Sequence, residues 1–319
     1  MALTFILEWV IQDAIVLIVT LMTVVYIIKN EEHPEIILLE MFCFCVLYAA
    51  VYENFATLIG LYAYGRSLIM IFNVPISVPL VEYLVVYASL RMLKHTDIPT
   101  WCKPFIVGFM GTLFDLTLDP VATHQIFPTE EGVVGRWTWF IGPTDVHIYG
   151  VPVHNYTGWL LMLGYAAALL LLGRYWYKKS NYKRSVGYAY PVLTMLGALL
   201  LLITPPISRF LLALEPIFPF GGIGEWIMLG VFFAVPTVLL VVYWRGKMKS
   251  RITFKTEYPL FLVLVGFHIN NIIFALIGGF YEILWIVVLF AAIQSGIVFF
   301  VYRQGKLADA KPVGNPQPQ

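Results

Sequence analysis

Asp115 and Asp119 are the residues of this chain best suited to chemistry. They stand four apart in the run FDLTLDPVATHQIF, so on a helix they share one face. Pro120 follows Asp119 and disfavours helical backbone at the residue before it. The spacing therefore predicts Asp119 at a helix C-terminus, where the negative end of the helix dipole and desolvation both favour the protonated carboxyl. A carboxyl that keeps its proton near neutral pH is what a general acid requires. The bland alternative is that Asp119 only brackets the turn before Pro120.

The residues around this pair are unusually rich in chemistry. The stretch from Phe114 to Trp159 adds His124, His147, His154, Asn155, Trp137, Trp139 and Trp159. An Asp-x-x-x-Asp pair can also hold magnesium and a diphosphate, as in membrane prenyltransferases. Those enzymes carry two richer Asp motifs, whereas this chain has one such pair. The histidine spacings match no zinc or iron ligand pattern, so no metal site is expected. The tryptophans can be interfacial anchors. They can equally form an aromatic wall around an apolar substrate, whose indole faces would stabilise a passing cation. No phosphate loop, dinucleotide fingerprint, serine elbow or histidine box is present, and no cofactor is expected.

The elements that must position these side chains are membrane helices. Of 319 residues 60% are hydrophobic and 12% charged, where soluble domains carry about 25% charged residues. Apolar runs near 8–28, 35–62, 68–93, 103–118, 155–174, 188–204, 225–244, 258–279 and 283–303 read as nine spans, with eight as the alternative. The expected fold is therefore all-α, a polytopic bundle of eight or nine helices. It forms one domain over residues 1–305, with a disordered tail at 306–319. Counted on nine spans, 17 of the 20 Lys and Arg residues fall on one side, and only Arg66, Arg136 and Arg209 on the other. The positive-inside rule then puts the C-terminus in the cytoplasm, the N-terminus outside, and the loop 119–154 on the outer face of the cell membrane. The basic loops are accounted for by topology, so no nucleic-acid partner is expected. Cys43, Cys45 and Cys102 fit packing roles. The first apolar run has no Lys or Arg before it and is long enough to span, so it is expected to stay rather than be cleaved.

Ionisable groups inside spans are functional candidates by default. They are Glu53, Glu82, Asp115, Glu225, Glu282 and His268, with Gln294, Asn270 and Asn271 as neutral interhelical glue. There is also an internal echo. IFNVPISVPLVEYL and IYGVPVHNYTGWLL each lead a Val-Pro into a helix, where proline is tolerated in the first turn. Such proline- and glycine-rich backbone at helix ends is tolerated where it lines a cavity.

One ordered set of residues resembles a known family. Asp115-x3-Asp119-Pro120-Val121-Ala122 is followed by Trp137-x-Trp139, then by Tyr149-Gly150-Val151-Pro152 with Asn155, Gly158 and Trp159. Tyr52-Glu53-Asn54, Gly60, Tyr62-x-Tyr64-Gly65 and Val74-Pro75 precede it, and Gly224-Glu225-Trp226 follows. This resembles the carotenoid biosynthesis membrane proteins, which include carotenoid 1,2-hydratases, across roughly residues 45–165. The resemblance implies a hydro-lyase that adds water to the terminal double bond of an acyclic carotenoid, such as a precursor of bacterioruberin, or of a related isoprenoid. It implies a long-chain carotenoid or polyprenyl lipid as partner, membrane lipids around it, and other membrane enzymes of the same pathway beside it. On this reading Asp119 or Asp115 protonates the alkene, and Glu53, His154 or Asn155 holds the water. Trp137, Trp139, Trp159, Tyr52, Tyr64, Glu82, Glu225 and Trp226 contact the substrate. The alternative from another class is a non-catalytic membrane protein that binds or transports carotenoid.

Overall fold

The structure is a computed structural model that describes residues 6–129, 132–143, 145–204, 222–244, 248 and 252–308. Among these, nine long helices form the bundle: α1 (Leu7–Asn30), α2 (Pro34–Leu58), α3 (Ser77–Lys94), α4 (Lys103–His124), α5 (Val153–Lys179), α6 (Arg184–Ile203), α7 (Ile223–Tyr243), α8 (Tyr258–Ile277) and α9 (Tyr281–Ala308). Eight are long and apolar enough to cross a membrane. The exception is α3, whose sequence carries Glu82, Ser89 and Arg91. It is nonetheless buried along almost its whole length. Its 18 residues span about 27 Å at 1.5 Å per residue, close to the hydrocarbon thickness of a bilayer. A helix that meets only other helices, and not lipid, can carry polar side chains that find partners inside the bundle.

The connections fall at two opposite ends. One end holds four short antiparallel ribbons, pairing β1 (Tyr62–Tyr64) with β6 (Trp137–Trp139), β2 (Met70–Ile71) with β3 (Val74–Pro75), β4 (Ile126–Thr129) with β5 (Gly132–Gly135), and β7 (His147–Ile148) with β8 (Val151–Pro152). At the other end Arg91 bridges Glu31 at 3.0 Å and Glu257 at 2.8 Å, tying α3 to the ends of α1 and α8. Tyr26 and His95 also bond Glu257, at 2.9 and 3.0 Å. Burial opposes ionisation of Glu257, but the hydrogen bonds from His95, Arg91 and Tyr26 outweigh it and bring its pKa down to about 2.

The internal echo proves to be a repeated piece of backbone. Ile71 pairs with Val74 and Met70 with Pro75; Ile148 pairs with Val151 and His147 with Pro152. Each tight turn needs a left-handed residue, Phe72 at φ 54° and Tyr149 at φ 51°, the latter followed by Gly150 at φ 82°. Each ribbon delivers the chain into the first turn of a buried helix, α3 or α5.

Two sequence expectations need correction. The fourth span does not stop near 118: α4 runs to His124, with Pro120 inside it. Asp119 is therefore not at a helix C-terminus and does not meet the dipole end. Tight burial of Asp119, Val121 and Ala122 holds the helical path, and the Pro120 carbonyl accepts a 2.7 Å bond from His124 Nδ1. Residues 68–76, expected to begin the third span, form the β2–β3 ribbon instead. The expected disordered tail at 306–319 begins later, because α9 continues through Ala308; Arg209 and residues 309–319 lie outside the described residues.

Helices α4 and α5 make the most extensive contact in the bundle. Gly108 meets the backbone of Leu160 and Gly111 meets the side chain of Leu163, the small-residue approach that lets membrane helices pack closely. Thr112 Oγ1 donates to the Tyr156 carbonyl at 3.0 Å across the same contact. This close approach sets the rotation of α5 against α4, and so which side chains face Asp115 and Asp119.

Candidate active site

On α4, Asp115 and Asp119 share a face as their spacing requires, and both are buried. Asn155, in the first turn of α5, donates from Nδ2 to Asp115 Oδ2 at 2.7 Å and to Asp119 Oδ2 at 2.8 Å. One amide group thus bridges both carboxyls. The two carboxyls also touch each other, and their Oδ1 atoms meet no donor. Like charges in contact repel strongly, so such a pair is stable when it shares a proton.

A second carboxyl pair comes from α2 and α3. Within α2, residues Phe44–Ala49 form a π-helical turn. A wider turn inserts one residue and rotates the remainder of the helix by about 100° relative to an uninterrupted one. Glu53 lies beyond that turn. Its Oε2 accepts the Tyr62 hydroxyl at 2.6 Å and the Tyr64 hydroxyl at 2.5 Å. Alternate residues of a strand face the same way, so β1 presents both phenols together. Burial, followed by the neighbouring Glu53 charge, pushes both phenols well above the ordinary tyrosine range. They therefore remain donors. Behind Glu53 lies Glu82, wholly buried, its carboxyl against that of Glu53 and both its oxygens without another donor.

The two pairs face one cavity, lined by Glu53, Asp119, Asn155, Tyr62, Tyr64, Val78, Trp137, Trp139 and Trp159. Its volume is about 20 Å³, room for one water molecule. Asp119 and Glu53 line it, and Asp115 and Glu82 stand behind them. The β1–β6 ribbon makes its lid. Tyr62 is opposite Trp139 and Tyr64 opposite Trp137, with ring centroids 4.5 and 5.5 Å apart. Trp159, on α5, packs on Phe114 of α4. An acid opposed to a hydrogen-bonded carboxyl under three indoles can protonate an apolar group, shelter a cation and hold one water.

Other expected site residues lie elsewhere. His154 is next to Asn155, but neighbours on a helix point about 100° apart. Its side chain turns away from the cavity, 3.9 Å from Glu225 Oε1 on α7. Trp226 lines a separate apolar groove of about 630 Å³ with Tyr149, Phe233 and Trp285. Tyr52 is half-buried beside Glu53 but packs on the main core rather than lining the cavity. Tyr62 and Val78 are site residues that the sequence reading missed. The Tyr-x-Tyr alternation would have found the first; nothing local marks the second. Among the described residues no group of three or more His, Cys, Asp or Glu side chains is arranged to hold a metal ion.

A family model described as "Carotenoid biosynthesis protein" matches residues 12–214, more than half of the chain. That span contains every residue of the cavity and ends before Glu225. No curated protein and no solved structure gives a match.

Proposed function

The chain belongs to the carotenoid biosynthesis protein family, and on that premise we propose that it is a hydro-lyase adding water to the terminal double bond of an acyclic carotenoid or related isoprenoid. The observation that carries this reading is the pair of opposed carboxyls, Asp119 and Glu53, on one water-sized cavity under three tryptophans. Hydration of a trisubstituted alkene needs a proton donor, a shielded tertiary cation and a positioned water, and no change of oxidation state.

Asp119 gives its proton to the alkene carbon that bears one hydrogen, and the positive charge develops on the terminal carbon, which bears two methyl branches. Trp137, Trp139 and Trp159 stabilise that charge through their ring faces. Water held by Glu53 and Asn155 attacks the cation, and Glu53 takes the proton that water loses. A tertiary alcohol leaves. Asp115 serves as proton partner to Asp119, and Glu82 as proton partner to Glu53. Tyr62 and Tyr64 fix the Glu53 carboxylate and stabilise it between turnovers. The isoprenoid chain, too long for the cavity, extends from it into the bundle or the lipid.

Purified protein given an acyclic carotene in oxygen-labelled water tests this. Labelled tertiary alcohol supports the reading; label from molecular oxygen, or no alcohol at all, overturns it. Apolar grooves of about 770 and 630 Å³ on the bundle flanks favour a second reading, a carotenoid-binding or transport protein, and tight carotenoid binding without alcohol would select it. We place the ribbon end outside the cytoplasmic membrane, because the Lys and Arg residues crowd the opposite end. Single cysteines at Val133 and Lys94 should react with an impermeant thiol reagent in intact cells only at the first.

A further inference from the structure

A membrane hydratase must receive two reactants of opposite character. The alkene arrives with the lipid, whereas water must be led through an apolar bundle. A second cavity lies beside the acid cavity, on the other flank of Val78 and Trp137. It is lined by Gln12, Ser77, Arg136, Asn270 and Asn271, with Val16 among its apolar walls, and its volume is about 30 Å³. Val78 and Trp137 line both cavities, so one layer of side chains separates them. A cavity of this size holds one or two waters where two or more polar partners are available, and five polar residues stand among its mostly apolar walls.

Resting on the hydratase reading, we propose that this second cavity is the water-supply vestibule of the active site, and that Val78 and Trp137 form the gate between them. Its polar rim is a built structure. Asp13 accepts hydrogen bonds from Ser67, from Ser77 at 2.7 Å, and from Arg136 at 3.3 Å. Arg136 is further held by Gln125 at 3.5 Å. Asn271 is anchored by a 3.1 Å bond to Thr117 Oγ1. The cavity runs from Ser77 and Arg136 at the ribbon end to Phe114 and Phe267 within the bundle. Arg136 is paired with Asp13 at 3.3 Å, so the rim offers water hydrogen-bond donors and acceptors with little net charge.

The proposal has a chemical signature. When Asp119 has protonated the alkene and water does not arrive, the cation can only lose a proton from a neighbouring carbon and return to alkene. In heavy water that return leaves deuterium in the recovered alkene. Blocking the vestibule should therefore cut alcohol formation while exchange into the alkene continues.

The test uses the purified full-length protein with acyclic carotene in heavy water, comparing the wild type with Val16→Phe and Gln12→Leu. The first fills the second cavity from a wall that the acid cavity does not share, and the second removes a polar side chain from its lining. The expected result is a ratio of alcohol to deuterated alkene lower by about tenfold in each variant, equivalent to about 1.4 kcal/mol on water capture. An unchanged ratio in both variants overturns the conduit. Parallel loss of alcohol and exchange in both, with folded protein, also overturns it, because the residues would then support the acid itself. A wild type that makes neither product overturns the hydratase reading instead.

Discussion

Replacing the two aspartates one at a time tests the proposed roles of Asp119 as acid and Asp115 as its proton partner. Asp119 lines the cavity and Asp115 stands behind it, yet both accept from the same Asn155 amide, at 2.8 and 2.7 Å. In Asp119→Asn the new amide oxygen can still accept that N–H, so shape and packing persist while the transferable proton is lost. General acid catalysis typically contributes about 10²–10⁴ in rate, which is about 3–5 kcal/mol of barrier, and the variant should lose that much. In Asp115→Asn the acid remains. The loss there is a charge-assisted bond worth about 1.5–3 kcal/mol and a shared proton, so the rate should fall by roughly ten- to a hundredfold. The assay is alcohol formed per amount of folded protein, from initial rates with purified protein and from pigment in carotenoid-producing cells. Thermal midpoints in detergent serve as the folding control. Asp119→Asn keeping a rate within about threefold of wild type, well short of the usual acid contribution, would refute the assignment. So would Asp115→Asn proving the more damaged of the two.

Other parts of the structure lead to three more expected outcomes. Tyr62→Phe and Tyr64→Phe each remove a donor from Glu53, and each should cost about 1.5–3 kcal/mol in stability. Because both donors share one oxygen, a double-mutant cycle from chemical unfolding should show non-additive losses. Glu257, with its pKa brought down to about 2, contributes stability that is present above its unfolded value near 4.5 and lost as pH falls through about 2. Glu257→Gln should therefore lower the thermal midpoint at neutral pH, and the gap to wild type should close only below about pH 4.5, where the unfolded carboxyl begins to protonate. Gly108→Ala should destabilise by about 1–3 kcal/mol, because the added Cβ would overlap the Leu160 carbonyl and backbone cannot move aside as a side chain can; thermal unfolding in detergent measures it.

Local sequence carried the class of this protein and much of its candidate site. Length and apolarity demanded a helical membrane bundle, because backbone in lipid must satisfy its own hydrogen bonds. The four-residue spacing put Asp115 and Asp119 on one face, and the two Val-Pro runs marked the ribbons that start α3 and α5. All of this is local periodicity, which one chain segment carries alone. Tertiary structure decided the rest. It set Glu53 opposite Asp119, placed Glu82 behind Glu53, and turned Asn155 toward the aspartates while His154 turned away. It also paired Tyr62 and Tyr64 with the tryptophans of a strand some seventy-five residues on. Helical period fixes which residues share a face, but not which face meets which. That depended on the α4–α5 glycine contact, the π turn before Glu53 and the β1–β6 pairing. The local rule at Pro120 failed for the same reason: packing on every side of Asp119 outweighed the preference of one residue pair.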